Sequence, residues 1–240
     1  MSQEITIPAD LVDLLRQAKH IAALTGAGVS KESGVPTFRD AQTGLWAKYD
    51  PQELATPHAF ERNPKLVWEW YAMRRAMVSQ AKPNPGHRAL AQLERKIDRF
   101  SLITQNVDDL HRQAGSSKII ELHGNIARTI CSRGRYEVEE FDSSQVPPSC
   151  PECGANLRPG VVWFGESLPE DALSDAVEAA RSCDVFFSIG TSSLVQPAAS
   201  LPYLAHETGV PTVEIIVEPT PFTSLAKFFL QGPSGPVSYT

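Results

Sequence analysis

The chain has 240 residues, of which 42% are hydrophobic and 21% charged, and its formal net charge is −6. This is globular composition, which excludes a disordered chain, and 15 Gly with 19 Pro are too few for a collagen-like or low-complexity one. The length suits one large domain, or one carrying a smaller inserted module, with enough core to need no disulfide staples. An acidic balance argues against nucleic acid as the main ligand and suits a partner with basic segments. Residues 1–20 carry Glu4, Asp10, Asp13 and Arg16 and so lack the apolar centre of a leader peptide. No stretch approaches the ~18 uninterrupted apolar residues of a membrane span. The expectation is a cytoplasmic protein with neither membrane nor nucleic-acid partners. Its four cysteines, Cys131, Cys150, Cys153 and Cys183, then read as thiols or metal ligands rather than disulfides.

In chain order, Asp10 is placed to cap a helix whose apolar stripe is Leu11, Leu14, Leu15 and Ala18. Residues 21–25 read as a short buried strand running into Gly26-Ala-Gly28. Residues 100–104 form a strand followed by the polar run Gln105-Asn-Val-Asp-Asp109 and a short helix, and 118–122 form a strand ending at His123-Gly124. An Ala-rich amphipathic helix covers 171–182. A strand over 185–189 runs into Gly190-Thr-Ser-Ser193, a helix follows over 197–207, and a late strand covers 211–217. Strands alternating with helices predict an α/β fold, a parallel sheet with helices on both faces. Ligands of such sheets bind at the carboxyl ends of the strands, which points to a cleft lined by 26–40, 105–108, 123 and 190–193.

Two segments break the alternation. Residues 41–82 hold a Trp- and Arg-rich helical stretch, and 125–165 hold three of the cysteines with little helical pattern. Both read as insertions forming a small second domain. The larger domain is then built from 1–40, 83–124 and 166–240, with the cleft between the two.

Gly26-Ala-Gly28-Val-Ser30 after a strand suggests backbone wrapped closely around a phosphate. It is not the full dinucleotide fingerprint, because Lys31 stands where the third glycine would fall. The longer string Gly26-Ala-Gly-Val-Ser-Lys-Glu-Ser-Gly-Val-Pro-Thr-Phe-Arg-Asp40 is far more specific. With Thr104-Gln-Asn-Val-Asp-Asp-Leu-His111, Leu122-His-Gly124 and Gly190-Thr-Ser192 it resembles the sirtuin family of NAD-dependent protein deacylases, in family order and spacing over about residues 20 to 230.

The resemblance implies a Rossmann-like domain and a small zinc-ribbon-like and helical domain that together clasp NAD and an acylated lysine. In the implied reaction NAD loses nicotinamide, the acyl oxygen attacks the exposed ribose carbon, and a base activates a ribose hydroxyl toward the acyl carbon. The products are free lysine, nicotinamide and O-acyl-ADP-ribose. His123 matches the base, a role that suits a side chain titrating near neutral pH. Asn106 and Asp108 match the other catalytic positions. Gly26, Ala27, Gly28, Ser30, Phe38, Arg39, Gln105, Gly190, Thr191, Ser192 and Ile216 match NAD-facing positions. At Ile216 many family members carry Asn, so a hydrogen bond toward the adenosine is lost. Val161-Val-Trp-Phe164-Gly165-Glu166 resembles the segment that pairs its backbone with an extended substrate peptide, a mode that tolerates many sequences.

At about 100° per residue, Leu66, Val67, Trp70, Met73, Met77 and Val78 fall on one helix face. Arg74 projects inside that face, Tyr71 lies at its edge and Arg75 points away. By periodicity alone, Arg74 reads as paired with an internal carboxylate or snorkelling to solvent. Tyr71-x-x-Arg74 also matches a pair in the sirtuin branch that removes succinyl and malonyl groups. That match implies a pocket for an acyl chain ending in a carboxylate, which an Arg fork and a Tyr hydroxyl would bind.

A structural zinc site typically has two Cys-x-x-Cys knuckles. Cys150-Pro-Glu-Cys153 is one. Cys131 begins the other, but Gly134 stands where its partner belongs. Glu137, Glu139, Asp142 or water could complete the set, or the module could be metal-free; zinc is expected on an incomplete site. Cys183 reads as a small buried residue. The expected protein is a monomeric NAD-dependent deacylase of acylated-lysine proteins or peptides, favouring succinyl and malonyl and also removing acetyl. The competing readings are a non-catalytic NAD- or ADP-ribose-binding module on the same fold and a nicotinamide oxidoreductase. The intact His123, Asn106 and Asp108 argue against the first, and the incomplete glycine fingerprint against the second.

Overall fold

The computed structural model describes residues 7–36 and 50–237. Phe38 and Arg39 therefore lie outside the described residues.

The short run His20–Thr25 is strand β1, buried along its whole length. Such burial on both faces is what a central strand of a parallel sheet requires. β1 pairs in parallel with β2 (Arg99–Thr104) on one side and with β6 (Val185–Ile189) on the other. With β3 (Ile119–Glu121), β7 (Thr212–Ile216) and β8 (Phe228–Gln231) the sheet has six strands in the order β3-β2-β1-β6-β7-β8. From β1 the chain builds outward through β2 and β3, then returns beside β1 at β6 and builds the other way. The order thus reverses between β1 and β6, and a crevice opens there at the carboxyl ends of the strands.

Alternate residues of β1 feed two cores. Ile21 and Ala23 pack with Phe100, Leu102, Val213 and Ile215 against α1 (Ala9–Gln17) and α6 (Pro85–Lys96) through Leu11 and Leu90. Ala22 and Leu24 pack with Ile103 and Phe186 against α8 (Glu170–Ser182) and α9 (Leu201–Glu207) through Ala176, Ala179, Ala180, Leu201 and Ala205. A third core joins α3 (Pro51–Leu54), α4 (Pro57–Arg62) and α5 (Pro64–Gln80) to an antiparallel pair, β4 (Gly124–Cys131) and β5 (Leu157–Val161). Phe60, Val67, Trp70 and Tyr71 meet Ile126, Val161 and Trp163 there.

Several expectations need correction. Asp10 is not the cap of α1. The helix begins at Ala9, Pro8 is the N-cap residue, and the Asp10 carboxylate accepts from Leu11 N at 3.1 Å within the first turn. Met77 is 39% exposed and so leaves the apolar face of α5, which ends in contact at Val78. Arg75 does point away from Arg74, yet not into solvent. Its Nε donates to Ile126 O at 2.6 Å, and its Nη2 donates to Arg128 O at 2.7 Å and Thr129 Oγ1 at 3.1 Å, pinning α5 to β4. No helix among the described residues is long and apolar enough to cross a membrane.

Candidate active site

The crevice at the sheet reversal is built from two glycine turns laid against each other. Gly26 follows β1 and Gly190 follows β6. Gly26 N donates to Ile189 O at 3.0 Å and Gly28 N donates to Gly190 O at 2.8 Å. A Cβ on Gly28 would lie 2.7 Å from Gly190 O, and one on Gly26 2.8 Å from the same atom. Gly190 has φ +61°, and its own Cβ would lie 2.5 Å from Val29 N. The glycines permit a close approach of the two turns to each other. Ala27, at the start of α2 (Ala27–Lys31), is exposed beside this contact.

A buried polar layer underlies the turns. Ser30 Oγ donates to Asp108 Oδ2 at 2.6 Å. Asn106 Nδ2 donates to Gly26 O at 3.0 Å and Ser30 Oγ at 3.1 Å. Asp108 Oδ1 accepts from Leu110 N at 3.0 Å. Thr25 Oγ1 reaches Thr104 Oγ1 and His111 Nε2, both at 2.9 Å, and His87 Nε2 lies 3.4 Å from Ser30 Oγ. The His87 and His111 rings are 4.7 Å apart. Burial lowers His87 to about 4 and His111 to about 3, so both imidazoles are neutral at pH 7. Burial also raises Asp108 above the usual carboxylate range, against the opposing bonds from Ser30 and Leu110. Ser30, Asn106 and Asp108 are thus brought together as expected, with much of their hydrogen bonding spent on one another.

His123 lies just beyond β3, and Gly124 opens β4 with φ +73° and room for no side chain, since a Cβ would fall 2.2 Å from Gly160 O. His123 Nδ1 is 2.9 Å from Gln105 O. Because that carbonyl only accepts, Nδ1 carries the proton and Nε2 is the basic nitrogen. Burial lowers the ring below its ordinary value, and the Gln105 bond works in the opposite direction. Gln105 also donates from Nε2 to Thr191 Oγ1 at 2.9 Å, tying the loop after β2 to the loop after β6. Thr191 is buried, Ser192 is half-buried, and Ile216 ends β7 at the same edge of the sheet. Ser193 is also buried, with φ +55°, and its Oγ has no hydrogen-bond partner among the described residues. It is a polar atom on the crevice that fits an absent ligand with hydroxyl or phosphate oxygens.

Tyr71 and Arg74 are both buried on α5. Tyr71 Oη accepts from Trp163 Nε1 at 3.0 Å, and the Arg74 guanidinium carbon is 4.9 Å from the Trp70 ring centre. Burial shifts both away from their charged forms, raising Tyr71 and lowering Arg74. The 161–166 segment is less available for strand pairing than expected. The N–H groups of Val162, Trp163, Phe164 and Glu166 donate to His123 O, Glu166 Oε2, Ala55 O and Trp163 O. Val161 is buried in the β4–β5 pair and its carbonyl accepts from Arg158. The Glu166 carboxylate meets Arg158 at 2.7 and 2.9 Å and Arg135 at 2.9 Å, so it braces the loop rather than facing a ligand. What remains outward is the Phe164 side chain, 41% exposed, beside Gly165 at φ +88°.

The sulfurs of Cys131, Cys150 and Cys153 lie within 4.8 Å of one another, a spacing that fits one metal ion. None of Glu137, Glu139 and Asp142 joins this group. Asp142 instead accepts from the Ser144 N–H and hydroxyl. Cys183 is a buried thiol at the end of α8.

The Sir2 family profile matches residues 26–197. The chain is 52% identical over 223 residues to "NAD-dependent protein deacylase 1" of Caldanaerobacter subterraneus subsp. tengcongensis, covering 92% of each chain. A solved Sir2 homolog–NAD complex superposes with TM-score 0.91 at 45% identity, covering 99% of this chain and 93% of that one. A Sir2–p53 peptide–NAD+ complex superposes with TM-score 0.87 at 33% identity, covering 98% and 96%. The two glycine turns at the sheet reversal, the histidine beyond β3 and the cysteine group all fall within a fold shared from end to end, and the chain belongs to the Sir2 family.

Proposed function

We propose that this protein is an NAD-dependent protein-lysine deacylase that prefers succinyl- and malonyl-lysine and also removes acetyl groups. The observation that carries the catalytic part is His123. Its Nδ1 is pinned at 2.9 Å from the Gln105 carbonyl, which leaves Nε2 as a base beside the crevice. When bound, NAD supplies the ribose from which nicotinamide leaves and to which the acyl group passes. With NAD bound, His123 Nε2 would accept the proton of a ribose hydroxyl. Asn106 and Asp108 hold the turn that carries Gly26 and Ser30, and Gln105 holds the loop that carries Thr191. The exposed Phe164 and Gly165 border the acyl-lysine. The kinship with a relative named as a protein deacylase and with a neighbour solved with a peptide and NAD+ supports this reading.

The acyl preference rests on Tyr71 and Arg74, three apart on α5 and both buried. An Arg fork and a Tyr hydroxyl on one side of α5 suit a carboxylate that enters with the substrate, and Trp163 orients the Tyr71 hydroxyl. In the same reading the chain works as a cytoplasmic monomer. Residues 1–40, 83–124 and 166–240 are read as the NAD domain and 41–82 and 125–165 as the small one. The test is a panel of one peptide carrying acetyl-, malonyl-, succinyl- or glutaryl-lysine, each assayed with NAD. A kcat/KM for succinyl and malonyl above that for acetyl is expected; acetyl-lysine as the best substrate would remove the acyl preference and leave the deacylase.

A further inference from the structure

The three-cysteine group has a fourth neighbour that a count of cysteines does not find. The two chain segments that carry it share one backbone form. In Cys150-Pro-Glu-Cys-Gly154, Gly154 N donates to Cys150 O at 2.9 Å and Gly154 has φ +70°. In Cys131-Ser-Arg-Gly-Arg135, Arg135 N donates to Cys131 O at 2.9 Å and Arg135 has φ +61°, a conformation that favours glycine. Gly134 N also donates to Cys131 Sγ at 3.3 Å. Residue 134 therefore occupies the place in its turn that Cys153 occupies in the other, although it has no side chain.

The space that a side chain at 134 would fill belongs to Tyr136. A Cβ built on Gly134 would lie 2.2 Å from Tyr136 Cε1 and 2.6 Å from Cδ1. The ring carries its hydroxyl into the sulfur group, where Oη lies 3.0 Å from Cys150 Sγ, while Cys131 and Cys153 sulfurs are 3.5 Å apart. With zinc–sulfur bonds of about 2.3 Å and zinc–oxygen bonds of about 2.0 Å, a tetrahedral site has sulfur–sulfur edges of roughly 3.8 Å and sulfur–oxygen edges of roughly 3.5 Å. The Cys131–Cys153 spacing needs to open by about 0.3 Å and the Tyr136–Cys150 spacing by about 0.5 Å.

We propose that Tyr136 supplies the fourth ligand of this site, making it a three-thiolate, one-phenolate zinc centre. On coordination the phenol gives its proton to solvent and its oxygen lone pair to the metal. The proposal concerns the metal site alone and does not depend on which acyl group the enzyme removes. Two kinds of measurement on the full-length protein as purified with zinc test it. In the first, the metal is withdrawn by a chelator of known affinity while near-ultraviolet absorbance is followed. A tyrosinate band present with zinc and lost with it is expected from the parent; zinc bound without that band, or no zinc bound, overturns the proposal. In the second, chelator competition compares variants. Tyr136→Phe should hold zinc at least about tenfold more weakly, and Gly134→Cys combined with Tyr136→Ala should recover the affinity by restoring a thiolate where the ring no longer stands. Unchanged affinity in Tyr136→Phe would mean that the ring only packs against the thiols.

Discussion

Gly190→Ala tests whether the crevice is made by backbone packing of one glycine turn on the other. Two costs arise at this position. An L-residue at φ +61° pays roughly 1–2 kcal/mol for the left-handed conformation. The new Cβ would also lie 2.5 Å from Val29 N and 2.8 Å from Gly28 C. That is about 1 Å inside the optimum contact distance, and both neighbours are backbone that cannot swing aside. Overpacking of this kind typically costs about 1–3 kcal/mol, so the total is about 2–5 kcal/mol. Gly209→Ala is the matched control, because Gly209 has φ +81° with nothing within 4 Å and pays only the first cost. Urea unfolding should give a loss of about 1–2 kcal/mol for the control and more for Gly190→Ala. Calorimetric titration with NAD should show weaker binding in Gly190→Ala alone. Equal destabilisation of the two variants would refute the claim that the turns are in obligatory contact.

His123→Ala should lower turnover by about 10²–10⁴ with the fold and NAD binding retained, and near-parent turnover would remove His123 as the base. Because burial holds the His123 pKa below 6.5, kcat/KM should fall with acid through a midpoint below pH 6.5; a midpoint at or above 7 would contradict the buried ring. Stability should also fall with acid. Above pH 6.5 the buried His87 and His111 and their unfolded counterparts are both neutral. Below it the unfolded chain takes up protons that the folded rings refuse until about pH 4 and about pH 3, and within those two windows each ring costs about 1.4 kcal/mol of stability per pH unit of acidification. Urea midpoints from pH 7.5 to 4.5 should decline more steeply in the parent than in His87→Gln/His111→Gln, and parallel declines would contradict this. Arg74→Met should lower the succinyl-to-acetyl ratio of kcat/KM about 10- to 200-fold, the value of a charge-assisted, two-pronged bond of about 1.5–3 kcal/mol. Equal loss of both activities would mean that Arg74 only holds α5 in place.

The central strands are legible in the sequence because burial on both faces leaves an unbroken apolar run, as in β1 and β6. The β4–β5 pair is not, since Arg158, Pro159 and Gly160 in β5 carry the composition of a loop. Arg158 nevertheless stays buried by meeting Glu166, the Val161 carbonyl and the Trp163 ring, and no pattern in a single segment announces such partners. The same holds in the site. His123, Asn106 and Asp108 stand in long specific strings. His87 has only the Asn84-Pro85 start of α6 to mark it, and its burial against His111 depends on packing between distant segments. Glu166 looks like a ligand-facing residue in the sequence because a carboxylate in such a string can equally brace its own loop, and only the positions of Arg135 and Arg158 decide between the two.

The most direct test of the central claim is nicotinamide release from NAD, followed with and without a succinyl-lysine peptide. The account predicts release that requires the peptide, with one nicotinamide formed for each lysine freed and none from the unmodified peptide. Release that is indifferent to the peptide, or reduction of NAD to NADH in its place, would contradict it.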